Sequence, residues 1–389
     1  MMKTIAVIFG GRSTEHDVSI VTALASIIRP LELSREFKVV PVYITREGAW
    51  YSDDKFKDIS LFNSGKIDSF LQRSKPVGIE FGKGMAILKP GGLVGKAQHT
   101  KIDVVFPATH GTYGEDGKLM GLLEMAGVPY VGCNVPASVL AMDKVSAKIM
   151  AEAHGILTPK YHHFSRTEVN SGIDEVTHRA AAGLAFPLFV KPAHLGSSIG
   201  INRAKDANEL RNALEVAAHY DDKIVVEEAV RNLIEVTLPI LGNDEPRPAL
   251  LERPLTVAED FFDFETKYMH GGKKGVKKGG SKGAQGYSEL PAKLPGDLYE
   301  SAEKTGLAVY KALGCTGTAR VDMLIDSKAK KVYFNEVNPL PGSLYAHNWR
   351  VAGVSSIDLV KRLVGLAEER FAKEQEVTTS FDTSFLKQF

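Results

Sequence analysis

Three oxygen-bearing side chains stand on two short segments that read as the strands of a hairpin. Asp322 ends the run Thr318-Ala319-Arg320-Val321-Asp322, and Glu336 and Asn338 lie in Phe334-Asn335-Glu336-Val337-Asn338-Pro339. Residues two apart on a strand share a face, so Glu336 and Asn338 point the same way. A small set of hard oxygen ligands suits Mg²⁺ that takes its other ligands from substrate phosphates and water, although acids at hairpin ends are commonly only solvated. A second constellation starts at Lys191, which closes the apolar run Pro187-Leu188-Phe189-Val190. A lysine on a buried strand needs a counter-charge, and a phosphate would supply one. The loop His194-Leu195-Gly196-Ser197-Ser198-Ile199-Gly200 follows it. Its backbone N–H groups and hydroxyls could cradle phosphate oxygens, while Gly and Ser also make ordinary turns.

The usual phosphate motifs are missing. There is no GxxxxGK[ST] loop and no GxGxxG after the first strand, which argues against a P-loop site and weakens a dinucleotide reading. No His/Cys group has zinc spacing and no GxSxG elbow is present.

The elements that would carry these residues are α/β in pattern. Lys3–Phe9 is a β-branched strand ending in Gly10-Gly11, Val18–Pro30 reads as a helix and Phe37–Ile44 as a second strand, the signature of a parallel sheet. Residues 45–100 read as an irregular insertion with small hairpins. Strands at 102–107 and 128–131 flank a helix from Lys118 to Ala126. A helix from Asp143 to His154 opens a second unit, with strands at 188–191 and 200–202 and a helix from Ala207 to Ala218. Strands at 224–228 and 235–241 read as a third unit, with a helix at 298–313, the hairpin 318–325/331–337 and a closing helix at 357–371. The expected domains are 1–141, 142–223 and 224–371, with a mobile loop at 269–290 and a polar tail at 372–389. Net charge is +1 over 389 residues, so no global field draws the chain to nucleic acid or membrane. The longest apolar runs fall short of the roughly 18 residues of a membrane span. Two distant cysteines, Cys133 and Cys315, make no disulfide framework, and a cytoplasmic location is expected.

In order along the chain stand Gly10-Gly11-Arg12-Ser13-Thr14-Glu15-His16-Asp17-Val18-Ser19, His110-Gly111-Thr112-Tyr113-Gly114-Glu115-Asp116-Gly117, Ala141-Met142-Asp143-Lys144, Lys191-Pro192 with Gly196-Ser197-Ser198, Glu265-Thr266-Lys267-Tyr268, and Arg320-Val321-Asp322 with Glu336-Val337-Asn338. This set, over roughly residues 3–370, resembles the ATP-grasp ligases, and within them the D-alanine–D-alanine ligase family. The resemblance implies an ATP-grasp fold behind an N-terminal Rossmann-like sheet. It implies ligation of two D-alanines through an acyl-phosphate, for peptidoglycan and cell-wall synthesis. ATP and two Mg²⁺ ions are implied, with Mn²⁺ as a substitute. Lys144, Lys191 and Lys267 would hold phosphates, and Glu227 and Glu235 the adenine and ribose. Asp322, Glu336 and Asn338 would ligate the metal. Arg320 and the backbone of Gly342 would meet the oxyanion. Glu15 would take the first substrate's ammonium, with Ser197 and Tyr268 as its hydrogen-bond partners. Ser343 and Leu344 would bind the acceptor carboxylate. The partners are small amino acids, and the family precedent is a homodimer.

Other readings of single residues stay open: Glu15 as a capping-box acid, Tyr268 as an exposed loop aromatic, His110 as a satisfied structural histidine, and Glu115 and Asp116 as turn formers. Two departures from the family pattern bear on specificity. The loop after Tyr268 is long and carries five lysines between Gly271 and Gly286. It suits a solvated insert or a contact with an acidic partner. The stretch from Gly342 to Ser343-Leu344-Tyr345 is a few residues short, so a related ligase with another acceptor or donor, such as D-serine, is the alternative. A silent ATP-binding scaffold and a dinucleotide oxidoreductase are the readings from other classes.

Overall fold

The computed structural model describes residues 2–82, 84–91, 97–255, 281–283, 286–380 and 383–389. The first sheet has the order Trp50–Tyr51, Phe37–Ile44, Lys3–Gly10, Val104–Pro107, and its three long strands run parallel. Parallel strands bury both faces, which is why Ile5 to Phe9 are apolar without alternation. The expected strand at 128–131 reduces to an isolated bridge between Val105 and Tyr130. After Gly10 the chain turns into a helix, His16–Val21, that widens into a π segment, Thr22–Ile28, and continues as Arg29–Ser34. Pro30, which cannot donate to the turn before it, sits where that widening ends. The insertion folds as short helices and a three-stranded antiparallel sheet, Gly78–Gly82, Gly84–Lys89 and Gln98–Ile102.

A second sheet has the order Asn202–Ala204, Leu188–Pro192, Lys223–Glu228, Tyr161–Ser165, all antiparallel. The strand Lys223–Glu228, read from sequence as part of the third unit, therefore belongs to the central one, and a boundary at 224 cuts its sheet. Alternation along a half-buried strand looks the same in either sheet, and only the pairing distinguishes them. The helix Lys144–Ala153 is capped by Asp143, whose carboxylate accepts from Val145 N and Ser146 N. The third sheet has the order Arg247–Pro248, Leu233–Leu241, Thr318–Asp326, Lys331–Asn338, covered by the helix Gly296–Ala312.

The helix Ser356–Gln375 returns to the start of the molecule. Leu359, Val360, Leu363 and Val364 share one core with Ile5, Val7, Phe9 and Ile27. Arg370 braces it there, donating to the carbonyls of Tyr130 and Gly132 at 2.8 and 2.5 Å and to Thr316 Oγ1 at 2.8 Å. Cys133 and Cys315, distant in sequence, meet at this junction as buried free thiols in contact with each other.

Candidate active site

The hairpin pairs Asp322 with Glu336 and Arg320 with Asn338. A bulge follows: Met323 faces Phe334, and Asn335 is the extra residue. Asn338 Nδ2 donates to Asp322 Oδ2 at 3.3 Å, and Thr237 Oγ1 to Asp322 Oδ1 at 2.6 Å. Arg320 forks onto the same carboxylate, Nε to Oδ1 at 2.7 Å and Nη2 to Oδ2 at 2.5 Å. Burial opposes the guanidinium charge, but Asp322 outweighs it and holds Arg320 protonated. Asp322, Glu336 and Asn338 thus stand as neighbours on facing strands, and their side-chain oxygens are of the kind that a hard divalent cation takes.

Lys144, at the start of its helix, donates to the Leu195 carbonyl at 2.8 Å and lies 3.1 Å from Glu336 Oε2. Lys191 on the neighbouring strand pairs with Glu227 Oε1 and donates to Asn335 Oδ1 at 3.2 Å. Lys144 and Lys191 therefore meet the hairpin residues Glu336 and Asn335 in the cleft between the second and third sheets. Glu227, expected to meet adenine, is instead enclosed: its other oxygen lies 2.9 Å from Lys148, an ion pair without hydrogen-bond alignment, and both oxygens are taken up by lysines. Burial alone would raise the Glu227 carboxyl, yet the two lysines bring it down to about 2. Glu235, by contrast, is exposed on the strand Leu233–Leu241.

The loop after Lys191 crosses to the first unit, where Ser197 Oγ donates to Glu15 Oε1. Glu15 is more than a capping acid, since its side chain makes no cap bond. Gly196 and Gly111 close around it. A Cβ at Gly111 would stand 2.8 Å from Glu15 Oε2 and 2.6 Å from Ser13 Oγ, so only glycine lets the loops approach. Burial first, then the Glu115 charge, raises the Glu15 carboxyl. Glu115 closes its local turn and does more besides. It is buried, accepts from Gly111 N at 2.7 Å and reaches Leu340 N at 3.2 Å, which ties the first unit to the turn after the hairpin. His110 is satisfied by Thr22 Oγ1 at 2.9 Å; burial would lower its pKa, but Glu115 raises it. Asp116 accepts from Tyr113 N at 2.9 Å, as a turn acid does.

Gly342 opens the turn after the hairpin, and Ser343, Leu344 and Tyr345 follow with φ of 52°, 53° and 49°. Ser197 and Ser198 share that left-handed conformation. Non-glycine residues held there store strain, typical of functional loops. Ser343 N donates to Thr22 Oγ1 at 3.0 Å. Leu344 and Tyr345 are buried, so of the expected acceptor pair Ser343 alone is half-exposed. Arg320 stands over the Tyr345 ring at 5.1 Å, and His347 beyond it pairs with buried Glu252 at 2.8 Å. Lys267 and Tyr268, with most of the lysine-rich loop, lie outside the described residues.

Sequence reasoning missed Thr22, Glu115, Lys148, Thr237 and Asn335. Lys148 had a signal, being four residues after Lys144 and so on the same helix face. Asn335 had none, because a bulge is invisible in strand periodicity.

Two family models match the chain: D-ala D-ala ligase N-terminus over residues 4–133 and D-ala D-ala ligase C-terminus over residues 150–365. The D-alanine--D-alanine ligase of Acetivibrio thermocellus is 36% identical over 382 residues, covering 95% of this chain and 96% of its own. That of Chlorobium limicola is 38% identical over 373 residues, 94% and 97% of the two chains. Among solved structures, the D-alanine-D-alanine ligase from Coxiella burnetii superposes with a TM-score of 0.75 at 28% identity, over 96% of this chain and 97% of that one. The VanG D-Ala:D-Ser ligase from Enterococcus faecalis gives 0.74 at 31% identity, over 94% and 100%. Two matched models that together span most of the chain, and relatives aligned from end to end, make this chain a member of the D-alanine–D-alanine ligase family.

Proposed function

We propose that this chain joins two molecules of D-alanine into D-alanyl-D-alanine for peptidoglycan, in the cytoplasm, with cleavage of ATP to ADP and phosphate on an ATP-grasp frame. The first, parallel sheet is read as its Rossmann-like unit. The observation that carries the reading is the convergence of three units on one cleft: Glu15 with Ser197, Lys144 with Glu336, and Arg320 with Asp322. Glu15 would receive the ammonium of the first alanine beside Ser197. Lys144 and Lys191 would hold ATP phosphates, Glu235 the ribose, and Lys267 the transferring phosphoryl group, with Tyr268 completing the Glu15–Ser197 network. Asp322, Glu336 and Asn338 would hold two Mg²⁺ ions, or Mn²⁺ in their place, and these would neutralise charge on the phosphates. The first carboxylate becomes an acyl-phosphate, the second amine attacks it, and phosphate leaves. Arg320 and the backbone at Gly342 face the oxyanion of that attack, where preorganised donors lower the barrier most. Ser343 and Leu344 would take the acceptor carboxylate. A homodimer is expected on family precedent.

A second reading, D-serine as acceptor, is favoured by the shortened turn at Gly342–Ser343 and by the likeness to a D-Ala:D-Ser ligase. Phosphate release with ATP and Mg²⁺ separates the two. Release with D-alanine alone, absent with D-serine, D-lactate and L-alanine and lost in Arg320→Ala, supports the first reading. Release that needs D-serine supports the second, and none with any D-amino acid removes both.

A further inference from the structure

Two lysines converge on one buried carboxylate. Lys148 and Glu227 each have side chains 1% exposed, and Lys191, the other partner, is 10% exposed at the cleft. One cation is therefore in surplus, and burying it is unfavourable unless an anion compensates. Glu152, exposed on the same helix, adds a weaker attraction to Lys148, and Asn335 offers Lys191 only a neutral oxygen at 3.2 Å. Burial lowers the pKa of Lys148, in keeping with that surplus. The position most open to an incoming anion is Lys191.

We propose that Lys148 is a positioning residue of the nucleotide cleft: it neutralises Glu227 from the buried side and so releases Lys191 to a nucleotide phosphate. The inference rests on the phosphate role proposed for Lys191. With Lys148 present, Glu227 keeps a counter-ion when Lys191 turns to phosphate. Without it, Glu227 and Lys191 form a closed neutral pair, and ATP must break that pair and leave a lone carboxylate in a dry site, which is costly. Lys148 touches neither substrate nor nucleotide in this scheme.

The test is binding of the non-hydrolysable analogue adenosine 5′-(β,γ-imido)triphosphate with Mg²⁺, followed by calorimetry. Lys148→Met should weaken binding about tenfold, the scale set by disturbing one buried charge contact. It should raise the ATP KM in step while leaving the D-alanine KM unmoved. Lys148→Arg should keep the parent affinity. Adding Glu227→Gln to Lys148→Met removes the carboxylate that traps Lys191, and should return affinity to within about threefold of the parent. A role limited to packing predicts no such rescue. Parent-like binding by Lys148→Met, or no recovery in the double variant, overturns the proposal. If Lys148→Met does not fold, Glu227→Gln alone decides: it should bind the analogue at least as tightly as the parent, and weaker binding overturns the proposal too. The analogue binds without ligation, so a parent that binds it but ligates no D-amino acid refutes the proposed function and leaves this inference standing.

Discussion

The two ends of the cleft are built by different means. At the end proposed to hold the metal, Asp322, Glu336, Asn338 and Arg320 sit on facing strands, and the ladder fixes their spacing. At the end proposed to hold the acceptor, Ser343 to Tyr345 run through three left-handed residues held by Thr22 and, through Leu340, by Glu115 of the first unit. A ladder places side chains by register and tolerates change around it. A strained turn is held by a few long-range hydrogen bonds and moves when one is lost. Local geometry in this segment therefore hangs on contacts made by another unit.

The contrast can be broken at the metal end with the largest effect. Asp322→Asn should lower the rate of phosphate release about 10³-fold, on the order of 4 kcal/mol, because it removes the charge proposed to hold the metal and the charged anchor of Arg320 together. Far-UV circular dichroism should be unchanged, since the strands pair through their backbones. Parent-like turnover would remove Asp322 from the site. Glu15→Gln should cost roughly 2–3 kcal/mol in kcat/KM for the first alanine, about 30- to 150-fold, as loss of one partner of a buried charge pair does. Its pH dependence sharpens the point. The carboxyl must be ionised to hold an ammonium, and burial and Glu115 raise its pKa above 4.5. Activity of the parent should therefore fall as pH drops through that raised value, and the glutamine variant should lack this limb. A variant that keeps the limb assigns it to another group. Thr22→Val tests the acceptor end. It is nearly isosteric but takes the acceptor from Ser343 N and the partner from His110. A loss of about 1 kcal/mol should raise the acceptor KM about fivefold, with the donor KM unmoved. An equal rise in both would show that the turn serves the whole cleft.

This contrast also divides what could be read from sequence. The hairpin, the strand ending in Lys191 and the first parallel strands are legible because periodicity and terminal residues report local geometry. The pairing partner of Lys223–Glu228 is not, because either sheet would accept the same strand. Glu115 looked like a turn acid, as its neighbour Asp116 is; its contact to Leu340 spans most of the chain and leaves no local trace. The same holds for Cys133 and Cys315, which meet only because the third unit folds back against the first.

The closing helix has a consequence for how the molecule is made. Leu359, Val360, Leu363 and Val364 complete a core whose other residues begin at Ile5. A chain leaving the ribosome from its N-terminus has that core only partly covered, by the first helix through Ile20, Leu24 and Ile27, until nearly every residue of the cleft has been synthesised. The first unit cannot finish ahead of the others, so emergence of the closing helix, rather than of any single sheet, sets the moment at which this core closes.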